Sequence, residues 1–247
     1  MKEHEERLWL QFATRWTFAM PVPVLLLLAS IGMLLGRAGD SPVELAYMVA
    51  ASEQPVGLRL LGLAIVLLWG SVTVFFIALA RLYRRRFPVK STFLGAIGLG
   101  FLIPMSAGNV QWTAAMDMAR RYGAAATEEQ REIVREIQLT VFQIVESRID
   151  FSNLLWGVGI LLFVSMARST NMMPKATAVL YVLSALVMLG VFASHIVGFP
   201  FPFALIPVYW AVTLGAHLSL GISWLRRLKG GAAFEPAAVR SGAAMER

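Results

Sequence analysis

Long apolar runs separated by short polar segments dominate the sequence. Six such runs cover approximately residues 16–36, 58–80, 91–116, 148–167, 176–197 and 204–224. About 20 apolar residues in an α-helix are enough to cross a hydrocarbon core of ~30 Å. The pattern therefore predicts an all-α polytopic membrane protein, with a six-helix transmembrane domain over residues 16–229.

The segments next to these runs carry signals of their own. Residues 1–15 combine acidic residues with Leu8, Trp9 and Phe12 at helical spacing, which predicts a short amphipathic helix at the inner interface. Pro21 and Pro23 predict a kink or a helix start early in the first span. A capping-box pattern predicts a surface helix over 42–52, and residues 230–247 are predicted to be a disordered cytoplasmic tail.

The longest hydrophilic stretch lies between spans three and four, at residues 117–148. Thr127 begins a capping-box pattern, and four apolar residues then share one helical face. These are Ile133, Ile137, Val141 and Ile144. We expect an amphipathic helix on the outer face of the bundle, with span four beginning afresh near Ser147; a single helix from Thr127 to Arg168 is the alternative.

The basic turn between spans two and three sets the expected topology. It contains Arg81, Arg84, Arg85, Arg86 and Lys90. With this turn inside, the inner segments carry 15 Lys+Arg and 5 Asp+Glu, whereas the outer segments carry 7 and 10. Because basic residues collect on cytoplasmic loops, we expect both termini in the cytoplasm of a bacterial inner membrane. The five cations are candidate contacts for anionic lipid headgroups.

Composition excludes several classes of function. The chain is 57% hydrophobic and 15% charged, and it has no cysteine, so disulfides, thiolate metal sites and cysteine nucleophiles are excluded. The net charge of +7 is explained by the cytoplasmic loops, and no nucleic-acid partner is predicted.

Small residues and tryptophans predict packing. Gly215, Ser219 and Ser223 on span six, and Gly62 with Gly70 on span two, recur at spacings that let helices approach closely. Five tryptophans near the predicted span ends are interpreted as interfacial anchors: Trp16, Trp112, Trp156, Trp210 and Trp224.

Two membrane histidines are candidate ligand-binding residues. His195 lies near the outer end of span five and His217 lies deep in span six, so their depths differ by roughly 15 Å. Axial ligands of one haem must lie only ~4 Å apart, given metal–nitrogen bonds near 2 Å. Haem is therefore disfavoured, and neither a cofactor nor a metal is predicted. The plain interpretation is a hydrogen bond from His217 to a neighbouring helix and an interfacial position for His195.

A second candidate set of polar residues gathers at the predicted outer end. It comprises Asn109, Gln111, Asp117, Arg148, Asp150 and Asn153. An outer vestibule that binds a small molecule or lipid headgroup is one interpretation, and solvated helix ends are the other. Either Asp117 or Asp150 is a potential partner for Arg148.

No catalytic motif is present in the sequence. It lacks the His-Glu-x-x-His string of membrane metalloproteases, a convincing rhomboid-type serine element and clustered inner-face aspartates for Mg²⁺. No catalytic residue is assigned.

The chain resembles a bacterial family of uncharacterised six-span integral membrane proteins, catalogued as a domain of unknown function. The resemblance covers most of residues 10–229. It depends on the polar helix-forming segment after span one, the hydrophilic helix between spans three and four, and Leu154–Ser169. The Met-Pro-Lys turn at 173–175 and the closing span from Trp210 to Leu225 complete it. The resemblance implies a six-span membrane fold and assigns no activity.

The favoured function is a non-enzymatic structural or accessory subunit of a membrane complex, with membrane lipids and other membrane-protein subunits as partners. A small-molecule transporter or lipid-binding protein is the alternative, since spans one to three and four to six have opposite orientations. A haem-binding oxidoreductase subunit is a distant third.

Overall fold

A computed structural model describes residues 2–35, 45, 48–49, 52, 56–198 and 205–230 of the chain. Within these residues the fold is all-α and contains no strand. The helices are α1 (Lys2–Ala19), α2 (Pro21–Leu35), α3 (Val56–Tyr83), α4 (Pro88–Gly100), α5 (Leu102–Ala124), α6 (Glu128–Ser169), α7 (Lys175–Val197) and α8 (Leu205–Lys229). Most of the predicted helix over 42–52 and all of the tail from 231 onward lie outside the described residues.

Among the described residues, six helical stretches are long and apolar enough to cross a membrane, which confirms the predicted fold class. They are His4–Met33, Val56–Tyr83, Pro88–Ala124, Asp150–Ser169, Lys175–Val197 and Val208–Lys229. The protein is therefore a multi-pass helical membrane protein.

Proline explains two breaks within these stretches. The helix is interrupted at Met20, and α2 then starts with Pro21 at its first position, where the missing N–H is not needed. A second break falls at Phe101, three residues before Pro104. Since Pro104 has no N–H to donate to Gly100, the ladder restarts with the bond from Met105 N to Phe101 O at 3.2 Å.

The segment between spans three and four differs from the favoured prediction. Residues Glu128–Ser169 form one continuous helix of 42 residues, as the alternative predicted, with no new start near Ser147. Neither proline nor glycine occurs between positions 128 and 156, so nothing in the backbone interrupts the ladder. At 1.5 Å per residue the helix is about 63 Å long, twice the hydrocarbon thickness.

The chain divides into two compact units. One comprises Met1–Ala19, Val74–Leu99 and Leu154–Arg247, and the other comprises Met20–Thr73 and Gly100–Asn153. In the first unit, α8 packs against both α1 and α7. Rings at its centre include Phe75, Phe163, Tyr181 and Trp224, all essentially buried.

In the second unit, the buried core is made from α3, α5, α6 and residues 45 and 48. Its members are Leu45, Met48, Leu58, Leu61, Ala115, Met118, Ala119 and Val134. Gly62 allows close packing, because a Cβ at this position would lie 2.5 Å from ring atoms of Trp112.

Several packing predictions are wrong in detail. Gly70 and Gly215 have open space where a Cβ would lie, so neither allows a close helix approach. Trp156 and Trp224, predicted to be interfacial anchors, are 5% and 0% exposed and belong to the core. The prediction used only the position of each tryptophan near a span end. In the structure both indole N–H groups donate to buried acceptors, which allows the rings to lie in the core.

The short turn between α6 and α7 is held by backbone and side-chain bonds. Asn171 adopts a left-handed conformation (φ 54°), and Met172 N donates to Ala167 O at 2.8 Å, as in a Schellman motif. Arg168 donates to Met173 O at 2.8 Å, and Arg227 of α8 donates to Asn171 O. The turn is thus fixed to α8 as well as to its own helix.

Candidate functional site

Several of the candidate outer polar residues have contacts on their own helices within the described part of the second unit. Asp117 accepts a hydrogen bond from Arg121 on its own helix at 2.8 Å, and both side chains are substantially exposed. Asn153 donates to Asp150 at 3.5 Å, and the Asn109 backbone oxygen accepts from Thr113. The side chains of Gln111 and Arg148 lie outside the described residues, so the predicted ion pair to Arg148 stays a prediction.

The two histidines have different environments. His195 is exposed in the last turn of α7. His217, on α8, is 1% exposed. Its ring contacts the ring of Tyr181 at a centroid distance of 5.3 Å, and Tyr181 lies on α7, the helix that also carries His195. Since His195 lies fourteen residues beyond Tyr181, the two imidazoles are about 20 Å apart along α7. The fold does not bring the two histidines together.

His217 lies inside a cage of aromatic rings. Trp156 stacks on it at 6.0 Å with an interplanar angle of 14°, and Phe75 lies at 5.4 Å. The imidazole Nδ1 is 2.9 Å from Thr213 O on its own helix, one turn earlier. Because a carbonyl oxygen only accepts, Nδ1 carries the proton and Nε2 presents a lone pair. The observed bond is therefore within α8, not to a neighbouring helix as the sequence interpretation expected.

Two buried polar atoms in this cage have no hydrogen-bond partner among the described residues. They are His217 Nε2 and the Tyr181 hydroxyl. An unpaired buried polar group costs roughly 1–3 kcal/mol. Within the described residues, no three His, Asp or Glu side chains come together as metal ligands.

Hydroxyl pairs link α7 to α8 around this cage. Ser184 is 2.8 Å from the Thr213 hydroxyl and also accepts a bond of 3.2 Å from the Trp156 indole. One level further along, Thr177 and Ser219 share a bond of 2.6 Å. Ser219 therefore does serve helix packing, although through a hydrogen bond and not merely through its small size.

The basic turn is partly neutralised by α1. Arg85 donates to Glu5 at 2.5 Å and lies 4.0 Å from Glu6. Lys90 donates to the Ser165 hydroxyl at 2.8 Å while remaining exposed. The other three cations, Arg81, Arg84 and Arg86, are also exposed.

The N-terminal part of α6 is attached to α5 through a cluster that sequence reasoning missed. Arg135 donates to the Tyr122 hydroxyl at 2.8 Å and to Glu132 at 2.7 Å, and it lies 3.0 Å from Glu128. The guanidinium also lies over the Tyr122 ring, 5.4 Å from its centroid. Its bonds, foremost that to Glu132, raise the pKa of Arg135 above its ordinary value.

Three of the four residues on the predicted apolar face of α6 are exposed, and the fourth, Val141, is half-buried. Val134 and Gln138 form the buried face of this segment, at 8% and 1% exposure. Ile133, Ile137 and Ile144 are 53%, 43% and 56% exposed. We call these three residues the isoleucine stripe. Helical periodicity predicted that they share one face of α6. It did not predict that this face is exposed while the Arg135 cluster attaches α6 to α5.

The fold and these sites define a multi-pass helical membrane protein with a buried aromatic–histidine cluster and an exposed isoleucine stripe. No protein-family model, curated protein or solved structure matches the chain.

Proposed function

We propose that the protein is a non-enzymatic accessory subunit of a membrane complex and that it contacts its partner subunit through the isoleucine stripe. The exposure of that stripe is the observation that carries the proposal. Membership of the six-span family described above, a bacterial inner-membrane location and cytoplasmic termini belong to the same proposal.

The position of the stripe on α6 supports a protein partner. Its residues precede the apolar stretch Asp150–Ser169, which is long enough to cross the membrane. Residues 128–149 add about 33 Å of helix before that stretch. An apolar stripe on this segment faces water unless a partner covers it, at about 25 cal/mol per Å² of exposed apolar surface.

The neighbouring residues favour a specific contact over adsorption to lipid. Glu129, Glu132 and Glu136 flank the stripe, and they would be repelled by anionic headgroups. An apolar strip bordered by charge is typical of a helix face that binds another protein.

Site-specific photo-crosslinking in native membranes tests the proposal. A photoreactive residue in place of Ile137 should give a discrete heavier species whose mass identifies the partner. Gln143 is the matched control position, since it is exposed, polar and about 120° around the helix from Ile137. Equal crosslinking from positions 137 and 143, or none from any position of the stripe, would contradict the proposal.

A lipid-binding role is the second candidate, and one observation favours it. A surface groove on α1 combines aromatic rings with an arginine that has no partner among the described residues.

A further inference from the structure

The outward face of α1 carries a groove. Leu10, Ala13 and Thr17 are fully buried, because α1 packs against α8. The opposite side of the helix contains a groove of about 390 Å³. It is lined by Glu5, Leu8, Trp9, Gln11, Phe12 and Arg15.

The groove contains one acidic and one basic side chain, Glu5 and Arg15, and only Glu5 is paired with a residue of opposite charge. Glu5 is already engaged by Arg85 at 2.5 Å, so its negative charge is largely compensated. Arg15 is exposed, and no hydrogen bond or ion pair joins it to another described residue. One uncompensated cation therefore stands among apolar side chains, including Leu8 at 51% and Phe12 at 39% exposure.

Contacts with α8 place this groove near the membrane edge. The Arg7 guanidinium donates a hydrogen bond of 3.5 Å to Leu228 O. The Phe18 ring packs closely on Gly221, since a Cβ added at Gly221 would lie 2.9 Å from the nearest ring atom. All groove residues except Glu5 fall between these two contacts, alongside residues 221–228 of α8, which span about 10 Å of helix. Those residues end in the cations that follow the apolar part of the span. Beside the charged end of a span we expect the headgroup layer, which is roughly 5–8 Å thick on each side of the hydrocarbon.

The rings that line the groove suit the same layer. Trp9 and Phe12 meet edge to face at 5.8 Å, and Phe12 meets Trp16 at 6.1 Å. Amphipathic aromatic rings are enriched at the headgroup level, where an arginine also keeps its charge in contact with phosphate and water.

We propose that this groove binds one anionic phospholipid. Arg15 pairs with the phosphate, the Gln11 amide offers a further donor, and the rings of Trp9 and Phe12 pack against the carbons next to the headgroup. This site lies beside the basic turn, to which the Glu5–Arg85 ion pair joins it, and it does not depend on the proposed role as an accessory subunit.

Native mass spectrometry of the full chain in mild detergent provides the test, by titration with phosphatidylglycerol or phosphatidylcholine. Arg15→Gln should weaken binding of the first phosphatidylglycerol by about fivefold to tenfold, which corresponds to the 1–1.4 kcal/mol of one charge-assisted contact. Phosphatidylcholine binding should change by less than about twofold, because the choline cation of this lipid already neutralises its phosphate. Gln11→Glu should weaken phosphatidylglycerol binding similarly, because it adds a negative charge to the groove.

Arg59→Gln is the matched control, since Arg59 is an exposed arginine on α3 outside the groove. It should bind both lipids as the wild type does. Equal phosphatidylglycerol binding by the wild type and Arg15→Gln would overturn the proposal, as would equal loss in Arg15→Gln and Arg59→Gln. Loss of both lipids in Arg15→Gln would likewise overturn it, because it would indicate altered folding or purely apolar binding.

Discussion

The indole nitrogen of Trp224 donates a hydrogen bond of 2.8 Å to the backbone oxygen of Met172, and both residues are fully buried. This bond joins the end of α8 to the turn between α6 and α7. Trp224, which the sequence pattern predicted at the lipid interface, is therefore part of the protein core.

Replacing Trp224 by Phe should lower stability measurably. The smaller ring retains part of the packing with Phe163 but leaves Met172 O without its indole donor. We expect a loss of about 1–3 kcal/mol in the free energy of unfolding. Thermal unfolding in detergent measures it, with Trp210→Phe as the control because Trp210 is only half-buried. An equal shift in the two variants would contradict the assigned role of the bond.

Gly62→Ala should destabilise the second unit. The added Cβ would lie 2.5 Å from the Trp112 ring, so the ring or the helix must move, at a cost of about 1–3 kcal/mol. Gly70→Ala is the matched control on the same helix, where nothing lies within 4 Å. That control should be neutral or slightly stabilising, because alanine favours the helix by up to about 1 kcal/mol. Urea or thermal unfolding of both variants checks the expected difference in sign.

His217→Phe should be tolerated. It removes an unpaired buried nitrogen and keeps a ring between Trp156 and Phe75, so stability should change by less than about 1 kcal/mol or increase. Thr213→Val in contrast removes the hydroxyl pair with Ser184 and should cost about 1 kcal/mol. If His217→Phe proves the more damaging of the two in a thermal unfolding assay, the expectation that the imidazole can be replaced by an apolar ring is wrong.

Single cysteines test the proposed topology, since the natural chain has none. A membrane-impermeant maleimide added to intact cells should label Thr140→Cys but not Val89→Cys. Both positions are exposed, so accessibility within the protein does not decide the result. After the cells are opened, position 89 should also react. Labelling of position 89 in intact cells would reverse the orientation inferred from the charge asymmetry.

The all-α membrane fold with six membrane-length helices could be predicted because apolar runs of about 20 residues have few alternatives in a bilayer. The helix start at Pro21 followed from proline chemistry in the same direct way. The continuity of α6 was harder, because Ser147 and Asp150 match a capping box equally well inside a helix. A local cap pattern starts a helix only where the preceding backbone has already left the helical conformation.

The environment of individual side chains could not be obtained from one-dimensional patterns. Ile133 and Ile137 share a face by periodicity, but which face packs is decided by Arg135 meeting Tyr122 from another helix. Similarly, the cage around His217 assembles residues from four separate helices. Such long-range pairings leave no spacing signal in a single sequence.

The five-residue turn between α6 and α7 also bears on how the chain is made. Asn171 forms the bend, and the connection is too short for α7 to move far from the end of α6 once both have been synthesised. We therefore expect the two segments to enter the bilayer together as a helical hairpin, with α8 joining afterwards. Trp224 and Arg227 would then act late in biogenesis, as the groups that lock the last helix onto a hairpin already in place.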